Sequence, residues 1–167
     1  VREALQSLEQ EGFLVRLPNR HMQVSRLEPD HVSHIFQAIA AMATALFSLV
    51  PAAAGESLAT RARELGHPGE RIRELAFHQA LISYIDNRYL EKIYQQFLDG
   101  YIGYVILYLK EDNQESAQIL SSLMDAIQQG DRAEIAQETQ RYFLSLAEIM
   151  RQHMKDWESA EASIREN

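Results

Sequence analysis

Apolar residues recur along most of this chain at intervals of three and four, the spacing that places side chains on one helix face. The pattern is clearest in Glu74–Leu90, where Glu74, His78, Leu81, Ile82 and Ile85 share a face. Two of these inward positions are ionisable. A carboxylate and an imidazole four apart, on a face otherwise made of Leu and Ile, must find partners or lose their charge. Asp86-Asn87 then stops the helix, and Asn87 can cap the next one. This stretch reads either as a core helix with two satisfied polar groups or as a helix that lines an internal cavity.

The same spacing predicts five further helices. The first starts at Glu28-Pro29-Asp30 and runs to about Val50. Its apolar run, Ile35 to Ala54, approaches membrane length, but it is Ala-heavy, interrupted by Pro51 and flanked by no basic cluster. A helix buried nearly all round, in a core or a dimer interface, is the expectation, with no membrane partner. The second helix covers about 53–65 and ends at Gly66, before the loop His67-Pro68-Gly69. The fourth, about 88–110, carries Tyr94, Phe97, Tyr101, Tyr104 and Tyr108 on one face, a stripe that either packs in the core or walls a ligand pocket. Gly100 and Gly103 weaken this helix and allow a kink or a close approach. The fifth, about 114–129, turns Ala117, Leu120, Leu123, Met124 and Ile127 inward. Gly130 ends it and Asp131 caps the sixth, whose inward positions are Ile135, Thr139, Tyr142, Leu146, Ile149 and His153. The last ten residues are polar and expected to fray. Six helices joined by short loops make an antiparallel all-α bundle over residues 27–160.

The first 26 residues read differently. Residues 1–12 form a helix closed by Gly12. Phe13–Arg16 and Met22–Val24 have strand character, with the turn Leu17–His21 between them. A helix followed by a β-hairpin is the latter half of a winged helix. The chain opens on Val in mid-pattern, as expected of a fragment that lacks the preceding helices.

Charge sharpens this division. The net charge is −8, yet residues 1–26 hold four Arg against three acids, leaving the acidic excess in the bundle. An acidic body repels DNA, so any contact with nucleic acid must come from the first segment. The absence of Cys excludes a disulfide scaffold and thiolate metal sites and fits a cytoplasmic protein. His31 and His34 stand three apart at a helix start, but no third ligand is near, so a solvated helix end is expected.

Three stretches carry a family resemblance. Phe77-His78-Gln79-Ala80-Leu81 with Asn87 and Leu90 resembles the effector-domain motif of FadR-type GntR transcription regulators. Asp125–Asp131 resembles that domain's helix–Gly-Asp–helix junction, and Val1-Arg2-Glu3-Ala4-Leu5 with the Pro18-Asn19-Arg20 turn resembles the winged-helix DNA-binding domain. The resemblance implies operator contact by Arg2 and by the wing-tip residues Asn19, Arg20 and His21. It implies a homodimer on a palindromic site, with a small-molecule effector inside the bundle.

Many such effector domains hold a divalent metal through one Asp and three His. By resemblance these positions are Glu74, His78, Leu120 and Tyr142 here, so only the first His is kept. Ile39 and Ala43 stand where the family usually has an Arg and a Glu. The expectation is therefore no family-type metal and no other cofactor. The effector-binding surface would be formed by Glu74, His78, Tyr101, Tyr104, Leu120 and Tyr142, and would suit a compound with apolar bulk. Two alternatives stand beside this reading. One is a dimerisation or scaffold bundle with a vestigial pocket. The other is an acid–base enzyme using Glu74 and His78, disfavoured by the lack of a nucleophile motif, a phosphate loop or a complete metal set.

Overall fold

The structure, a computed structural model, describes residues 3, 5, 6, 9, 14–16, 22–24, 29–63, 70–110 and 114–165. Strands β1 (Leu14–Arg16) and β2 (Met22–Val24) pair antiparallel, with Leu14 opposite Val24 and Arg16 opposite Met22. The Arg16 guanidinium donates to both oxygens of Glu9, at 3.0 and 2.6 Å, and ties β1 to a helical residue upstream. Arg2, Asn19, Arg20 and His21 lie outside the described residues, as do Gly12 and Gly66.

The bundle follows. Its helices are α1 (Pro29–Phe47), α2 (Gly55–Arg63), α3 (Glu70–Ile82), α4 (Arg88–Phe97), α5 (Gln114–Gln129) and α6 (Arg132–Arg165). A 3-10 turn, Ala52–Ala54, precedes α2. Helix α1 lies along α6, and α5 packs between α2 and α6. The core is continuous, built on Phe36, Phe47, Phe77, Leu81, Tyr94, Ile106, Leu123, Tyr142 and Phe143. Helix α6 continues to Arg165, through most of the tail expected to fray.

Within the single chain, helix α1 is buried along one face. Val32, Phe36, Ile39, Ala40, Ala43, Leu46 and Phe47 are buried, but Gln37, Ala38, Ala41 and Ala45 face outward. The apolar run is also broken: the chain turns by 99° between α1 and the segment from Ala52. No single helix among the described residues is long and apolar enough to cross a membrane.

Capping follows the expected residues. Asn87 Oδ1 accepts from the amides of Tyr89 and Leu90, both at 3.2 Å, and starts α4. Gly130, at φ 68°, ends α5 in the left-handed conformation that glycine adopts without strain. Asp131 Oδ1 then accepts from Ala133 and Glu134 at 3.0 and 3.1 Å to start α6.

The fourth predicted helix is not one regular helix. After α4 the chain widens into two π-helical turns, Leu98–Ile102 and Val105–Leu109. Gly100 takes φ −98°, ψ −105° inside the first. A Cβ on Gly103 would stand 2.4 Å from the Leu98 carbonyl oxygen, so the close approach needs glycine. Each wide turn shifts the helical phase. The aromatic stripe therefore splits: Tyr94 is fully buried and Tyr101 half-buried, while Tyr104 and Tyr108 are 44% and 72% exposed.

Candidate functional site

Helix α3 brings Glu74 and His78 to the centre of the bundle, one above the other, and both are fully buried. Their partners arrive from three other elements: Tyr94 from α4, Lys110 from the residue after the second π turn, and Tyr142 from α6. All three are buried. The Tyr142 hydroxyl donates to Glu74 Oε1 at 2.5 Å and lies 2.8 Å from His78 Nε2. The Tyr94 hydroxyl lies 2.9 Å from His78 Nδ1. Lys110 Nζ donates to Glu74 Oε2 in an ion pair with both side chains fully buried.

These contacts fix the protons. A phenol has one hydrogen, and that of Tyr142 goes to Glu74, so its oxygen accepts from His78 Nε2–H. The imidazole is then neutral with Nδ1 bare, and Nδ1 accepts from the Tyr94 hydroxyl. One chain of hydrogen bonds runs from Tyr94 through His78 and Tyr142 to Glu74, and Lys110 closes it. Burial, and then the Lys110 charge, push the His78 imidazole down from 6.5 to about 3. Burial, and then the Glu74 carboxylate, raise the Tyr94 phenol well above its ordinary 10. Phe77, Phe143 and Phe47 pack around the rings; the Tyr142 and Phe143 centroids are 5.1 Å apart and those of Phe47 and Tyr94 5.6 Å.

The structure thus joins three of the expected effector-site residues, Glu74, His78 and Tyr142. Leu120 is buried in the core on α5, and Tyr101 is half-buried against that core. Tyr104 stands apart on the surface, beside Tyr108 at 5.7 Å between ring centroids. The sequence reading missed Lys110 altogether and took Tyr94 only as part of a stripe. His31, His34 and His153 are exposed.

An open groove of about 660 Å³ lies between Leu109, the start of α5 at Glu115 and Ser116, and α6 at Ser145 and Ile149. A second, of about 360 Å³, runs along α4 from Arg88 to Asp99. None of the six expected effector-site residues lines either groove.

A divalent metal does not fit the central residues as they stand. Both Glu74 oxygens and both His78 nitrogens are already engaged, Leu120 offers no donor, and the Lys110 ammonium already pairs with the carboxylate. Among the described residues, no group of three or more His, Cys, Asp or Glu could hold a metal ion.

The FCD domain model matches residues 24–156, from β2 to the latter part of α6. The chain belongs to the FCD-domain family. A solved structure agrees with this fold: the crystal structure of a transcriptional regulator, a GntR family member, from Pseudomonas syringae pv. tomato str. DC3000. It matches with a TM-score of 0.60 at 16% sequence identity, over 93% of this chain and 70% of that one. No curated protein matches the chain. The resemblance to the effector domain of FadR-type GntR regulators is thereby borne out, and with it the all-α bundle. The central network lies within the matched FCD domain.

Proposed function

We propose that this chain is part of a ligand-responsive DNA-binding transcription regulator of GntR type. The observation that carries this reading is the FCD domain, spanning residues 24–156, with a buried polar network at its centre. Five polar side chains brought into an apolar core cost desolvation that a purely structural bundle has no need to bear. The antiparallel pair β1–β2, just before the bundle, supports a winged-helix remnant over residues 1–26. In this reading Arg2, Asn19, Arg20 and His21 contact operator DNA, and two chains form a homodimer that matches a palindromic site. The outward face of α1, lined by Gln37, Ala38, Ala41 and Ala45, is small enough for close helix approach in such a dimer. The effector seats against Glu74, His78, Tyr101, Leu120 and Tyr142, while Tyr104, exposed on the surface, lies outside that seat. It carries apolar bulk and shifts the population between two placements of the DNA-binding domains.

The closed packing of the network favours a second reading, a scaffold bundle whose pocket is vestigial. The acid–base enzyme is weaker. Glu74 is neutralised by Lys110, and His78, lowered to about 3, is a poor base with both nitrogens occupied.

The test is operator binding by the complete protein, using DNA upstream of its own gene at two salt concentrations. Specific binding that weakens steeply with salt and is lost in Arg2→Ala supports the regulator. Binding no tighter than to random DNA refutes it. A small molecule that raises the melting temperature of the bundle rejects the vestigial pocket.

A further inference from the structure

We propose that Lys110 is a built-in replacement for the divalent cation that the family resemblance implies. Its ammonium neutralises Glu74 and ties the second π turn to α3 and, through Tyr142, to α6. While it is in place, the interior admits no metal.

The geometry supports this at three levels. Lys110 ends on the carboxylate that stands at the family's Asp position, and both side chains are fully buried. A metal and this ammonium therefore compete for the same oxygens. The backbone is also built to deliver the side chain. Lys110 N–H donates to the Val105 carbonyl at 2.8 Å and closes the wide turn, and the residue then leaves the helix extended, at φ −77°, ψ 134°. Finally, the remaining donors are committed to one another. Glu74 Oε1, the Tyr142 hydroxyl and His78 form an unbroken chain, and both nitrogens of the imidazole are engaged in it. A metal cross-links helices by coordination; here an ion pair and a relay of hydrogen bonds join the same elements. The proposal stands whether or not the protein binds DNA.

Thermal unfolding of the protein and of Lys110→Ala, each with Ni²⁺, Zn²⁺ or EDTA, tests it. The unaltered protein is expected to keep its midpoint under all three. Lys110→Ala leaves Glu74 without its cation and should lower the midpoint by roughly 10 °C. Ni²⁺ or Zn²⁺ should recover part of that loss, and adding His78→Ala should abolish the recovery. A metal-dependent rise in the unaltered protein overturns the proposal. So does a Lys110→Ala protein that folds but gains no response to metal, since Lys110 is then an ion-pair partner only. If Lys110→Ala does not fold, Lys110→Met is compared with Lys110→Met/Glu74→Gln. Removing both charges should restore folding; a double variant no more stable than Lys110→Met overturns the neutralising role.

Discussion

The Tyr142 hydroxyl lies 2.8 Å from His78 Nε2, although 64 residues separate the two along the chain. That contact makes Tyr142 the bridge of the network. Its proton serves Glu74, and its oxygen receives the proton of His78.

Tyr142→Phe removes one oxygen, so Glu74 Oε1 loses a donor and His78 Nε2–H loses its acceptor. The expected loss is about 2–4 kcal/mol, because unsatisfied buried groups bear their full desolvation cost. Tyr94→Phe leaves only His78 Nδ1 without a donor and should cost about 1 kcal/mol. Urea unfolding of both variants measures the difference. Equal losses would mean that the phenol of Tyr142 is not a bridge.

The depressed imidazole makes stability depend on pH. In the unfolded chain His78 takes up a proton near 6.5, while in the folded chain it resists protonation until about 3. Between these values the unfolded state binds the extra proton. The stability associated with His78 is therefore full above about 6.5 and declines as pH falls toward 3. The slope is about 1.4 kcal/mol per pH unit, or about 2 kcal/mol by pH 5. Unfolding free energies at pH 7 and pH 5 should show this decline, and His78→Gln should lack it.

Gly103→Ala places a methyl group 2.4 Å from the Leu98 carbonyl oxygen, which is backbone and cannot swing away. The wide turns must shift, and with them the approach of Lys110 to Glu74. A loss of about 1–3 kcal/mol is expected, typical of overpacking. Gly130→Ala meets no neighbour within 4 Å, so any cost there comes from its positive φ alone. Circular dichroism melts of the two variants separate crowding from backbone strain.

The split stripe gives a further test. Tyr104→Ala and Tyr108→Ala should each change stability by no more than about 0.5 kcal/mol, as expected of surface sites. Tyr94→Ala should cost about 3–5 kcal/mol, in the range of large core truncations. If Tyr104→Ala were as damaging as Tyr94→Ala, the phase shift across 98–109 would be wrong.

These contrasts mark what sequence can and cannot reveal. Glu74, His78, Leu81 and Ile82 are buried as their spacing predicts, because α3 is regular as far as Ile82, and Ile85, beyond its end, is buried too. The caps at Asn87 and Asp131 are equally legible, since each acts within three residues of itself. On α6 the inward reading holds for Ile135, Thr139, Tyr142 and Leu146, then weakens at Ile149 and is lost at the exposed His153, beyond the part of the core that faces it. Lys110 was hidden for a different reason. A lysine that ends an apolar stretch and is followed by Glu111-Asp112 reads as a solvated helix end. Only the wide turns bring it inward, and a count at 3.6 residues per turn carries past them. The same miscount put Tyr104 on the face of Tyr94.

A wide turn is a helix with one residue more than it needs. From 98 onward, the length of the chain decides which side chain meets Glu74 as much as the identity of that side chain does. Deleting a single residue between Leu98 and Ile102 would rotate all that follows by about 100°. It would carry the lysine away from its carboxylate while leaving every side chain of the central network intact. An insertion or deletion in this segment therefore decides whether the buried carboxylate meets its cation, with no side chain substituted.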